Sequence, residues 1–228
     1  MTTAPRPGFL GILMLDTRFP RPPGDIGNPA TFAPLGIDVV YRTVRGASPQ
    51  RIVQQGDPAL LEPFVAAAAE LAAQGARMLS TSCGFLALWQ AHLAQALAPV
   101  PVLSSSLLAC ARLARPGIVT IDAQALGAPT LLAAGVPAGT PVQGVAPGCE
   151  FQRRILGNET TLDLALARDD VVRAARALVR THPQVDSIVL ECTNMPPYRE
   201  AVMQATGLPV VDIVTELQRV WSAPAAVR

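Results

Sequence analysis

The segment Met78-Leu79-Ser80-Thr81-Ser82-Cys83-Gly84-Phe85-Leu86 runs from apolar residues through small polar ones to a cysteine and a glycine, then turns apolar again. Read with its flanks, it predicts a short buried strand, a turn and a helix start. A second segment, Ile188-Val189-Leu190-Glu191-Cys192-Thr193-Asn194-Met195-Pro196, repeats that order, and its cysteine stands 109 positions after the first. The offset extends outward. Arg6-Pro7-Gly8 leads into the apolar run 9–15, and Arg115-Pro116-Gly117, again 109 positions on, leads into 118–121. The alanine-rich stretch 62–73 corresponds to 171–182, and Pro101-Val102-Leu103 to Pro209-Val210-Val211 with a slip of one. Identities are few, but triplet, helix, strand and cysteine agree at one offset, which marks an internal duplication.

Strands are predicted near 9–15, 37–43, 77–82, 101–104, 117–122, 142–146, 187–191 and 209–212. Helices are predicted near 59–75, 85–97, 106–115, 124–134, 168–182, 197–206 and 213–221. Short apolar strands alternating with Ala/Leu-rich helices imply an α/β fold with parallel sheets covered on both faces. The expected architecture is two similar α/β halves related by a pseudo-twofold, with an active-site cleft between them. Residues 1–105 form the first half, completed by the C-terminal helix 213–222, and 106–212 form the second. The irregular stretches 16–36 and 147–167 are long enough to be cleft walls or lids.

Composition excludes several functions. All 18 basic residues are arginine, so the chain offers no lysine for a pyridoxal phosphate Schiff base or for a P-loop. With 17 acidic residues the net charge is +1, and no field draws the chain to nucleic acid or to an anionic membrane. Residues 78–111 carry no Asp, Glu, Lys or Arg, but Gly84, Gln90, Pro99, Pro101 and the serines 104–106 interrupt them, so they read as buried core rather than a membrane span. Met1–Pro7 lacks the apolar run of a signal peptide, and a cytoplasmic location with reduced cysteines is expected.

Cys83 and Cys192 each fall between a predicted strand and a predicted helix, at the carboxyl edge of a sheet where ligands bind. The helix start favours a thiolate there. Ser82, Thr193 and Asn194 are placed to hydrogen-bond an anionic ligand, and Gly84 and Phe85 to face it. Cys110, in an apolar helix, and Cys149, without a repeat partner, read as inert. Two thiols facing each other across one cleft suit racemisation, which removes a proton from one face of a carbon and returns one to the other. No metal is expected: a zinc site would need further ligands at close spacing, and His92 and His182 lie far apart. Glu191 reads either as a group tuning Cys192 or as the partner of an arginine.

These segments, with Leu15-Asp16-Thr17 after the first strand, resemble the aspartate/glutamate racemase superfamily, which includes hydantoin racemases, maleate isomerases and arylmalonate decarboxylases. The resemblance spans nearly the whole chain. It implies a cofactor-independent mechanism with Cys83 and Cys192 as the acid/base pair, often in a homodimer. By position it adds Asp16, Thr17, Thr120 and Thr193 as substrate contacts, and Asn28 in a loop that covers the cleft mouth. Glutamate racemases carry Asn-Thr after the first cysteine and Thr-His after the second, whereas this chain has Gly84-Phe85 and Thr193-Asn194. The expectation is therefore an isomerase, a racemase or epimerase of a small carboxylate such as an amino acid or a hydantoin. The alternatives are a decarboxylase or cis–trans isomerase on the same scaffold, or a protein that only binds small acids.

Overall fold

The computed structural model describes residues 8–223. Arg6 and Pro7 of the first repeat triplet, and the rest of Met1–Pro7, lie outside them. Eight strands form from the short apolar runs: β1 Phe9–Leu15, β2 Val39–Val44, β3 Ala76–Thr81, β4 Val102–Leu103, β5 Pro116–Thr120, β6 Val142–Gly144, β7 Ser187–Leu190 and β8 Val210–Val211. They build two four-stranded sheets of matching order, β2-β1-β3-β4 and β6-β5-β7-β8, and all the neighbouring strands pair in parallel. The central strands β5 and β7 are buried at every position, as parallel strands covered on both faces must be.

The same packing device recurs in both sheets. Helices α1 (Leu61–Ala73) and α5 (Leu164–Thr181) lie close over β1 and β5 because a glycine sits beneath each. A Cβ on Gly11 would stand 2.7 Å from Leu79 Cδ2 and 3.0 Å from Leu71 Cδ1 of α1. A Cβ on Gly117 would stand 2.8 Å from Leu178 Cδ2 of α5. The largest core joins the halves, with Leu13 and Leu79 of the first sheet and Ile118, Val189 and Leu190 of the second in one cluster.

Helices α2 (Gln90–Ala96), α3 (Ala128–Ala133) and α6 (Arg199–Thr206) fall within expected segments. The final helix, α7 (Ile213–Ser222), returns to the first sheet, where Ile213 and Leu217 pack with Leu10, Ile12, Met78 and Leu103. Arg77 donates to the Trp221 carbonyl at 2.7 Å, and its guanidinium lies 4.3 Å from that indole's centroid. Two expected helices begin or remain as 3-10 turns, Gly84–Trp89 and Ser106–Arg112. Ser106 donates to the Leu190 carbonyl at 2.7 Å and so fastens its turn to the second sheet.

The stretch 147–167 is not wholly irregular. It contains α4 (Glu150–Leu156), whose first turn is satisfied from a distance: the Phe151 N–H donates at 3.0 Å to Asp170 of α5. Helix α5 also starts at Leu164 rather than near 168, because Asp163 caps it by accepting from the N–H groups of Ala165 and Leu166 at 2.9 and 3.0 Å. Leu164 and Leu166 are exposed, so the first turn lacks the apolar stripe that would reveal it. Among the described residues no helix is long and apolar enough to cross a membrane.

Candidate active site

Equivalent backbone stitches deliver the two cysteines to one place. Past the end of β3, the Ser82 N–H donates to the Leu13 carbonyl at 2.9 Å, and past the end of β7 the Glu191 N–H donates to the Val119 carbonyl at 2.9 Å. Each central strand is thereby held for one residue more, and each cysteine follows at once. Cys83 and Cys192 are each 7% exposed, and both line one narrow cleft. Ser82, Gly84, Phe85, Thr193 and Asn194 line it too.

The two long connections both line the cleft. Phe19 comes from 16–36, and Ile155 and Leu156 come from α4. They are tied to each other, since the Arg18 N–H donates to Asn158 Oδ1 at 2.7 Å. Asn158 sits at φ 51°, a left-handed conformation that asparagine tolerates better than most residues.

Several expected ligand contacts are engaged elsewhere. Asp16 accepts from the Gly46 N–H at 3.0 Å, and Thr17 accepts from Arg21 at 3.0 Å. Asn28 caps a 3-10 turn, accepting from the Ala30 N–H at 2.9 Å, and donates to the Arg21 carbonyl at 2.8 Å. Thr120 donates to Glu191 Oε2 at 2.8 Å. None of these four is among the cleft-lining residues. Among the lining groups, Ser82 Oγ accepts from the Leu15 N–H at 2.8 Å. The Thr193 hydroxyl donates to the Ser82 carbonyl at 2.6 Å and joins the two strand ends.

Residues that the sequence did not single out complete the site. Asp25, 1% exposed, accepts from Arg21 at 2.8 Å, from the Gly27 N–H at 2.7 Å and from Asn194 Nδ2 at 2.6 Å. Arg21 also stacks on Phe19, 4.6 Å from its ring centroid. Arg21 and Gly27 stand within four residues of Asp25, but Asn194, the partner that ties it to the cysteines, is brought to it by the folding of a Pro/Gly-rich loop over the other half.

Glu191 is fully buried, beside Thr120 rather than an arginine, and its Oε1 has no hydrogen-bond partner. Burial pushes its carboxyl up to about 7, against the pull of the Thr120 hydroxyl. The thiols are also raised, contrary to the lowering expected from a helix start. Burial lifts Cys83 to about 12, with the charge of Glu191 adding to it, while the Phe85 and Leu86 N–H groups and Arg21 pull the other way. Cys192 is driven well above its ordinary value, first by burial and then by Glu191, Cys83 and Asp25. Desolvation thus outweighs the dipole of a short turn.

No protein-family model matches the chain. It is 29% identical over 220 residues to a dimethylsulfoniopropionate lyase of Durusdinium sp. clade D, covering 90% of this chain and 71% of that protein. It is 31% identical over 225 residues to dimethylsulfoniopropionate lyase 7 of Emiliania huxleyi, covering 90% of this chain and 64% of that protein. With lyase 6 of the same organism the identity is 32% over 225 residues, and the chain spans 57% of that protein's length. Among solved structures, unliganded arylmalonate decarboxylase superposes with a TM-score of 0.59 at 19% identity, over 97% of this chain and 96% of the other. Allantoin racemase of Pseudomonas fluorescens gives 0.56 at 16% identity, over 96% and 99%. Aspartate racemase of Picrophilus torridus gives 0.55 at 13%, over 94% and 93%.

Proposed function

On the fold of the Asp/Glu/hydantoin racemase-like superfamily, which this chain adopts, we propose that it is a cofactor-independent enzyme that takes the α-proton of a small carboxylate with the Cys83 and Cys192 pair. One observation carries the reading: two thiols from equivalent strand ends enter one narrow, largely apolar cleft. Removing a proton from such a weak carbon acid demands a base held in place and a water-poor site for the developing charge.

β-Elimination is the outcome favoured. The sequence relatives over 90% of the chain are dimethylsulfoniopropionate lyases. The cleft residues also include Phe85 and Glu191, an aromatic face and an acidic side chain, which suit a substrate whose far end is a sulfonium cation. In that reaction a cysteine thiolate takes the α-proton and becomes a thiol. The C–H electron pair becomes the Cα–Cβ double bond, and the Cβ–S bond breaks with its pair leaving on sulfur, so that acrylate and dimethyl sulfide form. The second reading is racemisation or epimerisation, favoured by the retention of two cysteines, since exchange on two faces of a carbon needs two proton-transfer groups.

The test is incubation in deuterated water with dimethylsulfoniopropionate, and separately with aspartate, glutamate, hydantoins and substituted malonates, followed by NMR. Release of acrylate that is lost in Cys83→Ala supports elimination. Deuterium at Cα with loss of optical purity supports racemisation. No reaction with any compound, together with ligand binding unchanged in Cys83→Ala and Cys192→Ala, overturns both.

A further inference from the structure

Cys192 does not stand in the same surroundings as Cys83. Its sulfur lies 3.6 Å from Asn194 Oδ1, at hydrogen-bond distance for a thiol donor. Which end of that amide faces the sulfur is settled from the other side. Asn194 Nδ2 lies 2.6 Å from Asp25 Oδ2, and a carboxylate only accepts, so the nitrogen must face Asp25 and the oxygen must face Cys192. Asp25 is locked in turn by Arg21 and the Gly27 N–H on its other oxygen. A protonated Cys192 is satisfied by this arrangement, whereas a thiolate there would meet a carbonyl oxygen.

Around Cys83 the balance of polar groups differs, because the N–H groups of Phe85 and Leu86 and the Arg21 cation favour negative charge on its sulfur, against Glu191 alone. Cys192 has one such donor, the Asn194 N–H, against Glu191, Asp25 and Cys83 itself. Tyr198, also buried beside Cys192 and Asp25, is raised by its own burial and adds no charge near neutrality.

We infer that Asn194, oriented by Asp25, is a positioning residue that holds Cys192 as the proton-bearing thiol and leaves Cys83 to take the substrate's proton. This division of labour rests on the two-thiol reading above and deepens it. It builds a one-way proton transfer into the site, as elimination requires, instead of two interchangeable thiols.

The experiment compares the rates at which iodoacetamide alkylates Cys83 and Cys192, resolved by peptide mass spectrometry, in the full chain and in Asp25→Asn. An amide at position 25 no longer dictates which end of Asn194 faces the sulfur. The expected result is that Cys83 reacts at least tenfold faster than Cys192 in the unaltered chain, and that Asp25→Asn narrows the ratio at least fivefold. Faster labelling of Cys192 in the unaltered chain, or a ratio unmoved in a variant with an unchanged circular dichroism spectrum, overturns the inference. If Asp25→Asn does not fold, the infrared S–H band decides the matter. The band lost in Cys192→Ala should lie at lower frequency than the one lost in Cys83→Ala, as a hydrogen-bonded thiol requires, and the reverse order or no lost band overturns the proposal. Labelling and infrared readouts need no turnover, so a chain that processes none of the compounds above defeats the functional reading while leaving this ordering of the thiols to stand or fall separately.

Discussion

Gly84 of the first half lies directly against Glu191 of the second. A methyl group built on Gly84 would overlap both Oε1 and the main-chain carbonyl oxygen of Glu191. The two halves therefore meet at the site through a backbone contact that only glycine permits.

Gly84→Ala is expected to cost about 1–3 kcal/mol of stability, the usual range for overpacking, and to lower kcat/KM at least tenfold by parting the cysteines. The check is urea unfolding alongside kinetics. Glu191→Ala in the same chain should restore only part of the loss, because the Glu191 carbonyl remains in the way.

Glu191 makes stability depend on pH. Its folded pKa, about 7, lies above its ordinary 4.5, so the native state holds the proton more tightly than the unfolded chain. Stability from this group is full below about 4.5, falls as pH rises towards 7, and is then lower by ~3 kcal/mol. Glu191→Gln should flatten the urea midpoint over that window, and a parallel slope in both proteins would refute the assignment.

Catalysis should follow the ionisation of Cys83. With that thiol pushed up to about 12, the thiolate fraction grows tenfold per pH unit throughout the accessible range. A plot of log kcat/KM should therefore climb with unit slope between about pH 7 and 9. A plateau near neutrality would mean that another group is the base.

Thr193→Val removes the donor that reaches the Ser82 carbonyl at 2.6 Å, leaving a buried acceptor unpaired across the two strand ends. A loss of about 1–3 kcal/mol is expected from equilibrium unfolding. Thr193→Ser, which keeps the hydroxyl, should retain most of the stability.

Gly11→Ala and Gly117→Ala probe the close packing over the two central strands, which brings Leu79 of β3 and Leu71 of α1 onto one and Leu178 of α5 onto the other. Each methyl would press on leucine side chains at under 3 Å, Leu79 in one case and Leu178 in the other. Both variants should be destabilised by about 1–3 kcal/mol, similarly to one another, and thermal or urea unfolding measures it. A neutral Gly117→Ala would show that α5 is free to shift where α1 is not.

What the sequence by itself determined is the periodic part of the molecule. All eight strands and the equivalent positions of Cys83 and Cys192 were legible, because the central parallel strands are short apolar runs bounded by Gly and Pro, and a duplicated chain repeats the turn that follows each central strand. Helix α4 was not legible, since its first turn is satisfied by Asp170 from another helix and not by a local cap. Tertiary structure alone decided the site's polarity. Asp25 and Asn194 meet only when 16–36 folds over the second half, while Asn28 and Thr17 are engaged by Arg21 within that loop and Thr120 by Glu191 within the second half. It also reversed the expected thiol shift. A helix start after a cysteine can be read from sequence, but its pull on the thiol depends on how far the sulfur is removed from water, and that is a property of the packed chain.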